Sequence, residues 1–180
     1  MSTPMGSGIY VDQDVSGVSI DITKYRGMIG SLLYLTVIRP DIMFSVCLCF
    51  HFQANPKESH LMAVKGIMKY LKGTTNVGLW YPKGSICDLL GYSDANYVGY
   101  KTDRKSISGT CHILENALLS WSCKKQACVA LSTAEAEYIA AGSCCAQTLR
   151  LKQQLSDYGV KLECIPLKCD NTSNRLPELK

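Results

Sequence analysis

No apolar run in this sequence approaches the roughly 18 residues that a membrane-spanning helix requires. The longest, Ile42 to Phe50, is about half that length and contains Ser45. Met1 to Gly8 is polar and uncharged, without the charged-then-apolar pattern of a signal peptide, so a soluble, intracellular chain is expected. Cysteine is abundant, at ten, but none stands in a C-x-x-C pair. The closest spacings, Cys47 with Cys49 and Cys144 with Cys145, fit no zinc frame, and the thiols are read as reduced, mostly buried small hydrophobes. Histidine is scarce: His51 and His60 lie in helical sequence and His112 in a strand, and Ser93 has no adjacent base. That pattern argues against a nucleophile–base hydrolase. Charge is nearly balanced, at +4, which points only weakly to nucleic acid.

What is present suffices for one ordinary domain, or a small domain with a helical piece attached: 180 residues, 47% of them hydrophobic. Residues 1 to 19 are rich in Gly, Ser and Asp without apolar period, and are read as a flexible arm. From Thr23 the spacing of Tyr25, Met28, Ile29, Leu32, Leu33 and Thr36 predicts a helix, weakened by Gly27 and Gly30. A second helix follows, with Pro40 near its first turn and Ile42 to Phe50 apolar nearly all round. Asn55-Pro56-Lys57-Glu58 predicts a third, with Asn55 as cap, Leu61, Val64, Met68 and Leu71 as its core stripe and Gly73 at its end. Thr75 to Tyr81 is then expected to be a short strand, with a boundary at Pro82-Lys83-Gly84.

Beyond that boundary three strands are expected, Asp88 to Asp94, Ile107 to Leu114 and Leu118 to Cys123, the last two joined by a short hairpin connection. Ser132 with Glu135 three residues on forms a capping box, opening a helix that runs to about Tyr158. Ile165 to Asn171 supplies a fourth strand, with Pro tolerated at its start.

Three acids stand out. Alternation over Leu90, Tyr92 and Asp94 suggests a core-facing row ending in a carboxylate, whose desolvation asks for a metal or a basic partner; an ordinary strand-end Asp opening a turn has the same pattern. Glu137 falls on one helical stripe with Ala134, Ala141, Cys144, Cys145, Thr148 and Leu155, a small-residue face suited to packing on a sheet, whereas Glu135 points away. Asp170 ends the fourth strand. Such a set can bind Mg²⁺ through oxygen ligands, and two ions about 3.5–4 Å apart can support phosphodiester hydrolysis. Basic side chains are grouped as well: Lys65, Lys69 and Lys72 at helical spacing, and Lys101, Arg104, Lys105, Lys124 and Lys125 around the strand connections. They suit a phosphate backbone; a solvated face accounts for the helix lysines as well, and for the loop residues less so.

Several blocks in order carry a family resemblance: Tyr25-Arg26-Gly27-Met28-Ile29-Gly30-Ser31-Leu32-Leu33-Tyr34-Leu35, Arg39-Pro40-Asp41-Ile42, Lys69-Tyr70-Leu71-Lys72-Gly73-Thr74, Gly91-Tyr92-Ser93-Asp94-Ala95, Asp103-Arg104-Lys105-Ser106, Ser120-Trp121, Lys124-Lys125-Gln126, Leu131-Ser132-Thr133-Ala134-Glu135-Ala136-Glu137-Tyr138 and Cys169-Asp170-Asn171. From about Tyr25 to Ser173 the chain resembles the end of the Pol polyprotein of copia-type LTR retrotransposons, plant elements above all. The resemblance implies that residues 20–83 are the helical tail of the reverse transcriptase and that residues 84–180 are a ribonuclease H domain of α/β fold, a mixed sheet with a helix. Carried over by position, the family's metal-binding, catalytic acids fall on Asp94, Glu137 and Asp170.

The implied activity is two-metal hydrolysis of RNA in RNA–DNA hybrids, with Mg²⁺ replaceable by Mn²⁺. Ser93 and the basic loops would hold the backbone. The rest of the reverse transcriptase is the implied partner, in cis or from another chain, and the implied place is the cytoplasm, in a virus-like particle, or the nucleus. Two departures stand against the family pattern. Asn96 occupies a position where many relatives have Asp, and after Asn171 the sequence carries Pro177 where the family continues into a helix. The fold is therefore expected to be incomplete at its C-terminus, and an inactive remnant that at most binds nucleic acid or a protein partner is the alternative.

Overall fold

The computed structural model describes residues 3–6, 11–83, 88–100 and 103–169. The chain divides into two compact units, 1–79 and 80–180. Among the described residues no helix is long and apolar enough to cross a membrane, and none of the nine described cysteines is in a disulfide.

In the first unit, α1 (Ile22–Leu35) starts where the Asp21 carboxylate accepts the N–H groups of Thr23 and Lys24 at 2.9 and 3.2 Å, satisfying two donors that the helix itself cannot. It buries Tyr25, Ile29 and Leu32 and leaves Gly27 and Gly30 on the outside, so packing on one face overrides the weak propensity. A 3₁₀ turn at Pro40–Ile42 leads into α2 (Met43–Phe50), which is buried along Val46 and Cys49 and exposes Phe44 and Phe50. With α3 (Glu58–Gly73) these helices close an apolar core of Tyr25, Ile29, Leu32, Ile42, Val46, Val64 and Ile67.

Two expectations for α3 are corrected. Its cap is Lys57, not Asn55. Ser19 pairs with Lys57 as an isolated bridge, Ile20 N–H donates to Pro56 O and Glu58 N–H to Val18 O, which holds Lys57 extended (φ −114°, ψ 168°) and delays the helix. The buried stripe is His60, Ala63, Val64, Ile67 and Tyr70, with Leu61, Met68 and Leu71 half-buried beside it. The stripe is rotated because two polar residues find partners inside. His60 stacks on Phe52 at 4.2 Å, accepts Lys57 N–H on Nδ1 and donates from Nε2 to Asp12 O, while the Tyr70 hydroxyl donates to Asp41, itself paired with Arg39 at 2.8 Å. The same contacts fasten residues 12–19, part of the stretch 1–19 read from composition as an arm, to the start of α3. A third correction concerns Thr75 to Tyr81, which forms a turn and irregular chain rather than a strand, leaving Val77 and Trp80 exposed.

The second unit is a four-stranded mixed sheet in the order β3-β2-β1-β4, of ribonuclease H-like form. Strands β1 (Leu89–Tyr100), β2 (Lys105–Leu114) and β3 (Ala117–Lys125) are an antiparallel meander, and β4 (Leu167–Cys169) lies parallel to β1, which requires the long crossover through α4 (Thr133–Asp157). The buried row of β1 is Leu89, Gly91 and Ser93, not Leu90, Tyr92 and Asp94, which overturns the expected facing. Close approach of α4 explains the choice. A Cβ on Gly91 would come within 3.2 Å of Cys144 Sγ and 3.3 Å of Thr148 Oγ1, so the helix sits where the strand has no side chain.

Candidate metal centre and basic surface

Asp94 lies in the middle of β1, opposite Gly109, and its side chain is exposed. The neighbouring residue links it to the helix: Ala95 N–H donates to Glu137 Oε1 at 3.2 Å. Glu137 is half-buried on the sheet-facing side of α4, as its stripe required, and Glu135 has the capping task, accepting Leu131 N–H at 2.6 Å while Ser132 Oγ accepts Glu135 N–H. Past Asn96 the pairing of β1 with β2 slips, with Val98 at φ 52°, a conformation costly for a β-branched residue, and its N–H given to Ser106 Oγ at 3.2 Å. The ladder thus loses its regularity just beyond the acid.

On the other side β4 is in register with β1, Cys169 opposite Ser93, and the two side chains meet at 3.0 Å. Ser93 is buried there. Asp170 lies outside the described residues. The structure therefore brings Asp94 and Glu137 to one segment of β1, and among the described residues no group of three metal-capable side chains converges. The donors that are present, two carboxylates without a thiol or imidazole between them, are of the hard oxygen class that Mg²⁺ and Mn²⁺ take.

The basic residues separate into two kinds. Arg104, at φ 55° in the β1–β2 turn, and Lys124 near the end of β3 are exposed. Lys125 is instead paired with Asp103 and lies 4.8 Å from the Tyr100 ring centroid, and Lys105 Nζ donates to Ala127 O at 2.7 Å. Burial alone would raise the Asp103 carboxyl, but Lys125 and the Lys105 N–H outweigh it and hold it below the usual carboxylate range. Lys65, Lys69 and Lys72 are exposed on α3 in the first unit, and Lys101 lies outside the described residues.

Sequence reasoning missed the polar clamp that holds α4 to the sheet. His112 Nε2 donates to Thr148 Oγ1 at 3.0 Å, and Thr148 in turn donates to Cys144 O at 2.8 Å. Gln126 Nε2 donates to Ser108 Oγ and Ala136 O, both at 2.9 Å. The available signal was an amide closing a strand of alternating pattern, at the end of Lys124-Lys125-Gln126.

Comparison with known proteins adds the family. The chain is 40% identical over 152 residues to the retrovirus-related Pol polyprotein from transposon RE1 of Arabidopsis thaliana, a match covering 84% of this chain. It belongs to the retrovirus-related Pol polyproteins of plant copia-type transposons. A second Pol polyprotein, from transposon TNT 1-94 of Nicotiana tabacum, is 36% identical over 96% of the chain. These matches cover only 10% and 14% of the two Pol polyproteins. The chain is also similar to a short protein, the secreted RxLR effector protein 161 of Plasmopara viticola, 38% identical over 64% of this chain and 82% of the effector's length. No family model and no solved structure matches the chain.

Proposed function

We propose that the second unit is a ribonuclease H-type module of a retrotransposon Pol polyprotein, hydrolysing RNA in RNA–DNA hybrids during reverse transcription, with the first unit as the tail of the polymerase. The observation that carries this reading is the docking of the Glu137 carboxylate on Ala95 N–H, beside Asp94. A carboxylate half-buried on a helix face has little packing value, and fastened to β1 one residue from Asp94 it is within the reach of a shared cation site.

Asp94 and Glu137 would hold Mg²⁺, or Mn²⁺ in its place, completed by Asp170 from the chain following β4. Two such ions, when bound, supply an activated water and neutralise charge on the leaving oxygen. The chain's own residues do the rest: Ala95 N–H fixes one Glu137 oxygen, and Arg104, Lys124 and the α3 lysines attract the phosphate backbone. The rest of the reverse transcriptase, in cis or as another chain, delivers the hybrid, in a cytoplasmic particle or the nucleus. A second reading, a binding unit without catalysis, is favoured by the similarity of 64% of this chain to a short, separate effector protein.

The test is cleavage of a labelled RNA–DNA hybrid in Mg²⁺ and in Mn²⁺ by the parent and by Asp94→Asn and Glu137→Gln. The expected outcome is cutting by the parent and a loss of about 100-fold or more in each variant. A folded parent that binds hybrid in a salt-sensitive way and cuts nothing would establish the second reading.

A further inference from the structure

Gln126 is among the most buried polar residues of the second unit, at 4% exposure, and it makes an uneven use of its amide. Both of its side-chain hydrogen bonds come from Nε2, one to Ser108 Oγ on β2 and one to Ala136 O in the first turns of α4. Its Oε1 is buried and, among the described residues, accepts nothing. Exchanging the two ends of the amide would set an oxygen against the Ala136 carbonyl, so the orientation is fixed by chemistry. An apolar side chain of similar length would fill the space without burying an unmet acceptor. What the position uses is therefore the donor.

The acceptors show what that donor controls. Ser108 is the register partner of Ala95, and Ala136 precedes Glu137 in the chain. Ala95 N–H donates to Glu137 Oε1. The five residues thus form a closed ring: Ala95 to Ser108 across the ladder, Ser108 to Gln126, Gln126 to Ala136, and, one residue on, Glu137 back to Ala95. Gln126 N–H is itself held by Ser106 O at 2.9 Å, so the amide is anchored to β2 at both its backbone and its side chain. A helix is free to turn about its axis unless something on its surface forbids it. Residues 136 and 137 are 100° apart around that axis, so a bond to the carbonyl of the first sets the direction of the second side chain.

We propose that Gln126 is a positioning residue: its amide fixes the rotation of the start of α4 and thereby aims the Glu137 carboxylate at the β1 segment that bears Asp94. It would touch neither metal nor substrate. This rests on the reading of Asp94 and Glu137 as a cation site, although the aiming itself is a property of the metal-free protein and is measurable there.

The experiment uses the full chain. Amide hydrogen exchange is followed by NMR in the parent, in Gln126→Met, which keeps length and removes the amide, and in Gln126→Asn, which keeps an amide one methylene short. Mn²⁺ is then titrated and the broadening of signals near Asp94 and Glu137 recorded. In both variants Ala95 exchange is expected to quicken at least tenfold relative to the parent, while the β1 amide of Tyr92 and the β2 amide of Thr110 keep their rates, and Mn²⁺ binding is expected to weaken by a similar factor. Unchanged Ala95 exchange in either folded variant would overturn the proposal. Uniform loss of protection across the sheet, or failure of both variants to fold, would also overturn it, since Gln126 would then fasten the fold as a whole. A parent that binds no Mn²⁺ would remove the cation-site reading, and Ala95 exchange would still decide whether Gln126 aims Glu137.

Discussion

The two units are held together by different means. In the first, the buried faces of α1, α2 and α3 are mainly Tyr25, Ile29, Leu32, Ile42, Val46, Val64 and Ile67, an oily core that takes in two partnered polar residues of α3, His60 and Tyr70. In the second, the buried apolar cluster is small, Leu89, Leu151 and Ile165, and the layer between sheet and α4 sets Ser93, Ser108, Thr110, His112, Gln126 and Thr148 against the small buried residues Ala136, Ala140, Ala141 and Cys144. Apolar burial is strong but non-directional, whereas a hydrogen bond fixes an angle. A unit that has only to be stable can rely on the first. One that must present a carboxylate at a defined place gains from the second, and accepts lower stability per buried residue.

The contrast can be broken most severely in the first unit. Ile29→Ala removes a side chain that is 1% exposed and should cost about 3 kcal/mol, read as a lower midpoint in chemical denaturation. Thr148→Val, nearly the same shape, takes away the acceptor for His112 Nε2 and the donor to Cys144 O, and should cost about 1 kcal/mol. A loss at Thr148 equal to that at Ile29 would show that the polar layer bears as much stability as the oily core, and the distinction would fail.

The smallest effect concerns pH. Burial holds His112 below its ordinary 6.5, against the Cys144 carbonyl, which favours the charged form. As pH falls through 6.5 the unfolded chain takes up a proton that the folded one refuses. Stability from this group is thus complete above that value and is lost toward the lower folded value, by at most about 1.4 kcal/mol per pH unit. Denaturation midpoints at pH 7.5 and 5.5 should differ more for the parent than for His112→Gln. Equal slopes would place His112 in contact with water.

Much of this was legible in sequence because it is written in hydropathy and caps. Alternation gave the meander, Tyr25-Ile29-Leu32 gave α1, and Ser132 with Glu135 gave the start of α4 and set Glu137 on the sheet side. The facing of β1 was not legible. Its buried row contains Gly91 and Ser93, which carry no hydropathic signal, while Tyr92 on the other row does. The stripe of α3 was misplaced for a related reason, since His60 and Tyr70 count as polar until their partners are known. At the site, Glu137 could be placed by geometry alone, but Gln126 at the end of a strand looks like a surface amide until Ala136 O is found against it.

The parallel pairing of β4 with β1 has a consequence for the order of assembly. The hairpins from β1 to β3 close over a few residues each, whereas the contact of Ser93 with Cys169 joins positions 76 apart in the chain. Closure entropy grows with the logarithm of loop length, which puts this last strand at a disadvantage of about 2 kcal/mol relative to the hairpins. Three residues of pairing must recover it. The meander can therefore form as a local event with Asp94 already in place, while the strand leading to Asp170 joins only after the whole crossover has wrapped the helix onto the sheet.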